Sequence, residues 1–523
     1  MDEGADAAVL AGLLSALRAG EVHSKEELSR LKATLCKRHR SRRLPPDRQL
    51  LAALDAPERE RLLPLLRVKG VRSLSGVAVV ALMTSPTACP HGRCVYCPGG
   101  PTTNTPQSYT GLEPAARRGA QHGYDPFTQA TSRLAQLEGN GHDTDKVDLI
   151  IMGGTFTARP TAYQESFLKG AFDALNGTIS TDLQSAMLLN EGAARRCTGL
   201  TVETKPDWCK QPHLERMLES GVTRVELGVQ STDESTLERM HRGHTLQDTV
   251  EATALARDAG LKVGYHLMPG LPGATRDDDR NHVRTIVDDP RFRPDILKFY
   301  PTLVIAGTGL YELWQQGRYE ALGTDQMVQR LADAKELVAP YMRIHRIQRD
   351  IPLEKIAAGV DKANIRQLAV EELSARGKAC ACIRCREAGL RERLGRPAGP
   401  VSLVERTYEA SEGTEVFLSL EDQESTTVAY LRLRIPTHSW RPELTGGIVR
   451  EVRVVGRVSP IGEAARGRIQ HRGLGRQLLV RAERIAAETY DAPTLAVIAA
   501  VGSRRYYHRL GYTRVGPYVR KDL

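Results

Sequence analysis

The chain has 523 residues, 41% of them hydrophobic and 26% charged, ordinary proportions for a soluble globular protein of about three domains. Apolar runs such as residues 77–83 are far too short to span a bilayer, and residues 1–20, with Asp2, Glu3 and Asp6, lack the basic start of a signal peptide, so the expected location is the cytoplasm, with no membrane association. The 73 Lys+Arg against 63 Asp+Glu leave a formal charge of +10, which points to a polyanionic partner.

Residues 1–75 read as a helical region. Leu10, Leu13, Leu14 and Leu17 recur at helical spacing, and Pro45-Pro46 closes a basic segment. This region holds 15 cations and 10 anions, a net +5. From Arg30 to Arg43 there are seven cations and no acid. Such dense clustering favours contact with a phosphate backbone, and Arg38, Arg40, Arg42 and Arg43 are the candidates.

From about residue 76 to 310, strand and helix patterns alternate. Short β-rich runs fall at residues 77–83, 147–152, 200–203, 224–229, 262–267 and 296–300, with helical stretches between them. Strands joined by helical crossovers imply a parallel α/β sheet, doubly wound or an incomplete barrel, with its site at the C-terminal strand ends. Residues 311–400 are mixed and charged, and residues 343–352 alternate like a half-exposed basic strand. Gly395, Pro397, Gly399 and Pro400 mark a linker. Residues 401–523 return to strand patterning around one long helix, as a separate α+β domain.

Nine cysteines in a chain of cytosolic character argue for metal or redox chemistry. Six fall into two groups, Cys89, Cys94, Cys97 and Cys380, Cys382, Cys385. The first loop reads Cys89-Pro90-His91-Gly92-Arg93-Cys94-Val95-Tyr96-Cys97 and follows the first barrel strand. A structural zinc wants four protein ligands, whereas a [4Fe–4S] cluster held by three cysteines leaves one iron open. A cluster is the expected occupant and zinc the alternative.

This loop resembles that of the radical S-adenosylmethionine (SAM) superfamily, in which the open iron binds SAM. The commonest spacing there has three residues between the first two cysteines; this chain has four. Gly153-Gly154 after the second strand resembles the turn that meets SAM's amino group, and Glu203 resembles the acid that bonds its ribose. In the last domain, Gln470-His471-Arg472-Gly473-Leu474-Gly475 opens a helix, an arrangement suited to a pyrophosphate. With the strand before it, and with Tyr506-Tyr507 after it, this resembles the GNAT acyltransferase fold, which binds acetyl-CoA.

Longer strings carry a more specific likeness: Cys94-Val95-Tyr96-Cys97-Pro98-Gly99-Gly100-Pro101, Gln107-Ser108-Tyr109-Thr110-Gly111-Leu112-Glu113-Pro114, Ile151-Met152-Gly153-Gly154-Thr155-Phe156 and His345-Arg346-Ile347-Gln348-Arg349-Asp350-Ile351-Pro352. Together they resemble the catalytic subunit of Elongator and its stand-alone prokaryotic relatives, the tRNA uridine(34) acetyltransferases. The resemblance implies a radical SAM domain joined to a GNAT-type domain, forming 5-carboxymethyluridine at the wobble uridine from SAM and acetyl-CoA. It implies acetyl-CoA contacts at Lys146, at Glu451, Val452, Arg453 and Val454, at Gln470, Gly473, Leu474, Gly475 and Arg476, and at Tyr507. Lys146 and Tyr507 are the candidate catalytic groups. It also implies a structural zinc on Cys380, Cys382 and Cys385, with His345 a candidate fourth ligand; a second Fe–S cluster or free thiols are the alternatives. Arg343, Arg346 and Arg349 join the RNA candidates. The expected partners are the tRNA anticodon stem-loop and an electron donor, for an enzyme that is self-sufficient or homodimeric. The competing reading is a protein lysine acetyltransferase with a structural iron–sulfur domain.

Overall fold

The computed structural model describes residues 2–68, 75–456 and 473–523. Helices α1 (Asp2–Ala19), α2 (Lys25–His39), α3 (Asp47–Ala52) and α4 (Ala56–Leu66) form the N-terminal bundle. Their core gathers Leu13, Leu17, Leu28, Leu35, Leu50 and Leu66. Ser24 caps α2 by accepting from the Glu27 N–H, and Asp55 and Glu58 form a capping box on α4. Lys32 is buried and bonds Asp47 and the Pro45 carbonyl, so this cation is spent inside the bundle. Arg38, Arg40, Arg42 and Arg43 remain exposed.

Strands β1 (Ala78–Met83), β2 (Lys146–Met152), β3 (Arg196–Thr204), β4 (Arg224–Gln230), β5 (Lys262–Leu267) and β6 (Ile296–Phe299) are the repeated strands of the sequence pattern. After β7 (Val304–Ile305), strand β8 (Arg343–Ile347) completes a parallel sheet in the order β1-β2-β3-β4-β5-β6-β8. The barrel therefore continues past residue 310, into the stretch whose alternating charges read as a linker strand. β9 (Ile356–Ala358) pairs with β7 outside this sheet. Outward residues such as Val147, Leu149, Ile151, Val225 and Leu227 are fully buried in the main core, as expected where crossover helices cover a parallel sheet.

The C-terminal domain is a second seven-stranded sheet. It contains β10 (Ser402–Ala410), β11 (Gly413–Glu421), β12 (Thr427–Pro436), β13 (Gly447–Val454), β14 (Thr494–Val497), β15 (Thr513–Val515) and β16 (Tyr518–Asp522). Helix Leu474–Tyr490 buries Leu478, Leu479, Ala482, Ile485 and Ala486 against it. β13 and β14 run parallel and pair only from Gly447↔Leu495 to Val449↔Val497. Beyond that point they diverge.

Buried charges weld the two sheets together. Arg450 donates to both oxygens of Asp295 at 2.6 and 2.7 Å and to Glu415 at 2.8 Å. Arg434 binds Asp258 at 2.6 Å, and Tyr341 stacks on Tyr408 with ring centroids 3.8 Å apart. One apolar core contains Val225 and Leu297 of the barrel together with Ile448, Val501 and Tyr518 of the second domain. No helix among the described residues is long and apolar enough to cross a membrane.

Candidate active site

The C-terminal ends of the barrel strands open into a pocket lined by Cys89, Cys94, Cys97, Gly154, Glu203, Lys205, Arg242, His266, Tyr300, Arg346 and Arg349. The cysteine loop leaves β1 and is pinned at its root by the Thr84 N–H to the Met152 carbonyl. Gly153 and Gly154 have φ of 125° and 101°, in the region that favours glycine. A Cβ at Gly153 would lie 2.2 Å from Thr84 Oγ1, and one at Gly154 would lie 4.0 Å from Cys89 Sγ. At Gly153 there is no room for a side chain beside Thr84, and Gly154 lies in ordinary contact range of Cys89.

Each sulfur has its own polar neighbours. Cys94 Sγ lies 3.4 Å from Arg242 Nη1 and 3.2 Å from His91 Nε2. Cys97 Sγ accepts from the Ser108 N–H at 3.2 Å, and Cys89 Sγ lies 3.8 Å from Thr155 Oγ1. Burial, and then the nearby cations Lys205 and Arg242, lower the His91 pKa to about 4, so its ring is neutral. Burial opposes the charge on Arg242, but Tyr96 and Cys94 outweigh it and keep the guanidinium charged. Three thiols facing buried cations suit a negatively charged, thiolate-bound centre.

The spread of the sulfurs bears on the kind of centre. Zn–S bonds of ~2.3 Å put the sulfurs of a tetrahedral ion about 4 Å apart. Among the described residues, the triads with all ligand atoms within 4.8 Å are Cys380, Cys382, Cys385 and Glu203, Glu226, His266. Cys89, Cys94 and Cys97 form no such triad, so they fit the wider reach of an iron–sulfur cube.

Glu203, at the end of β3, accepts from Tyr109 Oη at 3.2 Å and lies 3.5 Å from Lys298 Nζ. Lys298 also bonds Glu226, which lies 3.1 Å from His266 Nε2. Burial opposes ionisation of Glu226, but Lys298 and then His266 hold its pKa well below the usual carboxylate range. The sequence reading found Glu203 and missed Glu226, His266, Lys298 and Arg242. The available signal for Glu226 was the pair of charges, Arg224 and Glu226, alternating with Val225 and Leu227 along β4.

At the other end of the molecule, Leu474 and Gly475 open the long helix. A Cβ on Gly475 would sit 3.7 Å from both Val452 Cγ1 and Tyr506 Oη and 4.0 Å from Val454 Cγ2. Gly473 has φ of 76°. Arg476 is close enough to influence the Tyr506 phenol. Glu451 pairs with Arg432 at 3.0 Å, and Arg453 is held charged by Tyr430 and Glu451 against its burial. Gln470 lies outside the described residues. The Tyr507 ring is in the domain core, 5.1 Å from Tyr506 and 5.9 Å from Tyr512 between centroids. Burial pushes its phenol pKa upward, so the phenol is protonated at neutral pH. The hydroxyl beside Gly475 belongs to Tyr506.

Residues 7–74 match the ELP3 N-terminal domain, residues 83–286 the Radical SAM superfamily and residues 294–375 the Radical SAM C-terminal domain. The tRNA uridine(34) acetyltransferase of Methanocaldococcus jannaschii is 42% identical over 98% of this chain and 97% of its own. Elongator complex protein 3 of Homo sapiens is 43% identical over 91% of this chain and 89% of its own. The chain belongs to this family. The archaeal Methanocaldococcus infernus Elp3 with an N-terminal deletion superposes with a TM-score of 0.77 at 41% identity, covering 86% of this chain and all of that one. As a radical SAM protein, this member of the acetyltransferase family uses a [4Fe–4S] cluster and SAM, and the cysteine pocket fits both.

Within this family fold, Arg346 and Arg349 line the pocket. Arg346 pairs with Asp350, and Arg349 bonds the Ser108 carbonyl with its guanidinium 5.7 Å from the Tyr109 ring centroid. Arg343 is different. It is buried at the base of β8 and paired with Glu387, so it presents no surface to a phosphate and leaves the RNA set. Lys146 begins β2, at the barrel end away from the cysteines, 3.6 Å from Asp145. Its β3 partner Arg196 packs against Gly502, where an added Cβ would come within 2.5 Å. That places Lys146 on the side of the C-terminal domain. His345 is not a ligand of the second cysteine group. It is half-buried beside Arg224, Arg343, Glu226 and Lys298, whereas Cys382 bonds the backbone of the neighbouring Ile344. Lys335 Nζ, 3.4 Å from Cys385 Sγ, is the buried partner that sequence reasoning missed.

Proposed function

We propose that the protein converts the wobble uridine of tRNA to 5-carboxymethyluridine, using SAM and acetyl-CoA. The observation that carries this reading is the presence of a three-cysteine pocket and a CoA-type glycine turn in two domains joined by the buried Arg450–Asp295 pair.

When bound, the cluster and SAM supply hydrogen-atom abstraction at the acetyl methyl group, and thioester hydrolysis after bonding to C5 leaves the carboxymethyl group. The chain's own residues hold and shield these partners. Cys89, Cys94 and Cys97 hold the cluster. Backbone groups at Gly153 and Gly154 meet the SAM amino group, and Glu203, fixed by Tyr109 and Lys298, bonds its ribose. Glu451–Val454, Leu474–Arg476, Tyr507 and Lys146 contact acetyl-CoA, with the free N–H groups of the helix start facing its pyrophosphate. Tyr507 and Lys146 serve the CoA end of the molecule, away from the cysteines.

Arg38, Arg40, Arg42 and Arg43 neutralise tRNA phosphates, while Arg346, Arg349 and Tyr109 receive the splayed anticodon loop at the pocket mouth. Cys380, Cys382 and Cys385 hold a structural zinc. The reaction draws its electron from a separate donor in the cytoplasm, where the nine cysteines, all free among the described pairs, stay reduced.

In the test, reconstituted protein is incubated with dithionite, SAM, acetyl-CoA and tRNA. Release of CoA and 5′-deoxyadenosine should depend on tRNA, and Cys94→Ser should abolish the nucleoside while preserving tRNA binding. CoA release that needs a protein amine and ignores Cys94→Ser would establish the lysine acetyltransferase reading instead.

A further inference from the structure

A thioester that has been joined to C5 of uridine is hydrolysed where the base is held, because its carbonyl carbon is separated from C5 by a single methylene. Neutral water attacks such a carbonyl slowly. A positioned group that takes a proton from the attacking water ordinarily supplies about 10²–10⁴-fold. The cysteine pocket therefore needs a base with a bare acceptor atom.

Most of the titratable groups that line the pocket are already engaged. Glu203 meets Tyr109 Oη and Lys298 Nζ. Both carboxylate oxygens of Glu113 accept the Thr110 N–H, at 3.0 and 3.1 Å. Asp350 pairs with Arg346, and Lys205 with Asp207 at 3.1 Å. His91 faces the Cys94 sulfur, and burial with the nearby cations lowers its pKa to about 4. Burial pushes the Tyr109 and Tyr300 phenols up, so both are protonated at neutral pH.

His266 is different. It lies on β5 and lines the pocket, with its side chain 12% exposed. Its Nε2 is 3.1 Å from Glu226 Oε2. Glu226 is fully buried and bonds Lys298 through the same oxygen, and against its burial Lys298 keeps it ionised. A carboxylate only accepts, so Nε2 of His266 carries the proton, and in the neutral ring Nδ1 keeps its lone pair. Nδ1 has no protein partner among the described residues and is open to the pocket.

The sheet register builds this pair. His266 sits opposite Lys298 on β6, and Gly264, two residues earlier on β5, sits opposite Glu226 on β4. A Cβ on Gly264 would lie 3.2 Å from Glu226 Cγ, so the glycine leaves room for the carboxylate to reach the ring. On the other side, the Tyr300 ring meets the imidazole edge-on at 84°, with centroids 5.2 Å apart. A buried carboxylate, an oriented imidazole and an open ring nitrogen are the parts with which a histidine removes a proton from an attacking oxygen, the carboxylate stabilising the imidazolium that forms.

We infer that His266 is the general base that hydrolyses the thioester, with Glu226 as its positioning residue. This rests on the function proposed above. Nδ1 takes a proton from water as the water oxygen bonds to the thioester carbonyl carbon and the carbonyl electron pair moves onto its oxygen. When that pair returns, the carbon–sulfur bond breaks with its electrons on sulfur. The imidazolium then gives its proton to the departing CoA thiolate. Water and thioester become carboxylic acid and thiol, and no electron is exchanged with the cluster or SAM.

The test follows the thioester in the reconstituted holoenzyme with tRNA, SAM, dithionite and acetyl-CoA deuterated on its methyl group. His266→Gln keeps a donor for Glu226 and removes the base. It should bind SAM and release 5′-deoxyadenosine carrying deuterium, because abstraction precedes hydrolysis. Its CoA release should fall about 100-fold or more, and the tRNA should accumulate the CoA thioester of 5-carboxymethyluridine. Hydroxylamine at the quench converts that thioester to a hydroxamate, whose nucleoside mass differs from that of the carboxylate. His266→Asn takes its place if the Gln variant does not fold. Glu226→Gln should slow CoA release in the wild-type background and add nothing to the His266→Gln defect; an equal further loss in the double variant would overturn its positioning role. Wild-type CoA release from His266→Gln overturns the assignment. So does loss of SAM binding or of deuterium transfer, which would make His266 a SAM contact. Absence of deuterium transfer in the wild-type enzyme overturns the proposed function instead.

Discussion

Arg242 holds its guanidinium 3.4 Å from the Cys94 sulfur while a second nitrogen donates to the Gly228 carbonyl at 2.5 Å. The side chain is buried, so its charge acts on the sulfur with little screening. A hydrogen-bonded, positively charged neighbour favours the more negative, reduced state of a thiolate-bound cluster.

Arg242→Gln should therefore lower the midpoint potential of the cluster in the absence of SAM. Loss of about 1.4 kcal/mol of preference for the reduced state corresponds to ~59 mV for one electron. Redox titration followed by electron paramagnetic resonance measures it, with SAM affinity recorded in parallel. An unchanged potential would show that Arg242 has no part in tuning the centre.

The interdomain pair carries a pH signature. Burial opposes ionisation of Asp295, but Arg450 and Arg432 outweigh it and hold the carboxyl far below its ordinary value. A carboxylate depressed in the folded state stabilises above its unfolded pKa of ~3.9 and loses that contribution as pH falls below it. The joined domains should keep this stabilisation at neutral pH and lose it progressively from about pH 4 downward. Asp295→Ala leaves Arg450 and Arg432 without their shared carboxylate and should cost about 3–5 kcal/mol. Denaturant unfolding against pH checks both, and the variant should show a shallower acid dependence below pH ~4 than the wild type, the remainder coming from other depressed carboxylates such as Glu226.

Four exposed arginines of the bundle predict a salt effect. Replacing Arg38, Arg40, Arg42 and Arg43 by Gln should weaken tRNA binding and flatten the slope of log K against log salt by roughly 3, at ~0.7–0.9 per phosphate contact. Arg343→Gln should leave that slope unchanged and destabilise the fold instead, because its partner Glu387 is left alone. Filter binding over a salt series separates the two.

Much of the architecture was legible in the sequence because its signals are local. The cysteine loop, the Gly153-Gly154 turn and the strand ending in Glu203 announce themselves within a few residues of chain. What stayed hidden depends on partners far away in sequence. Arg343 and His345 alternate with apolar residues as they would on an exposed strand, yet β8 turns them into the molecule, where Glu387, Glu226 and Lys298 meet them. Lys32 sits inside a run of cations, and only the fold brings Asp47 to it. The barrel's polar interior escaped notice for the same reason, since each charge is answered from a different strand.

The second cysteine group should hold one metal ion per chain, independently of the first. Cys382→Ser should remove that ion, lower the thermal midpoint and leave iron on Cys89, Cys94 and Cys97. Elemental analysis of the purified variant measures both. Equal loss of iron would mean that the two centres fold as one.

In the function proposed above, one polypeptide brings SAM chemistry and an acetyl thioester to the same nucleoside. Anaerobic reaction of the reconstituted protein with tRNA, SAM and acetyl-CoA labelled with carbon-13 on both acetyl carbons, followed by nucleoside mass spectrometry, tests it most directly. Both labelled carbons should appear in 5-carboxymethyluridine at the wobble position, and none with Cys94→Ser. Label that appears on protein lysines while the nucleosides stay unlabelled would contradict it.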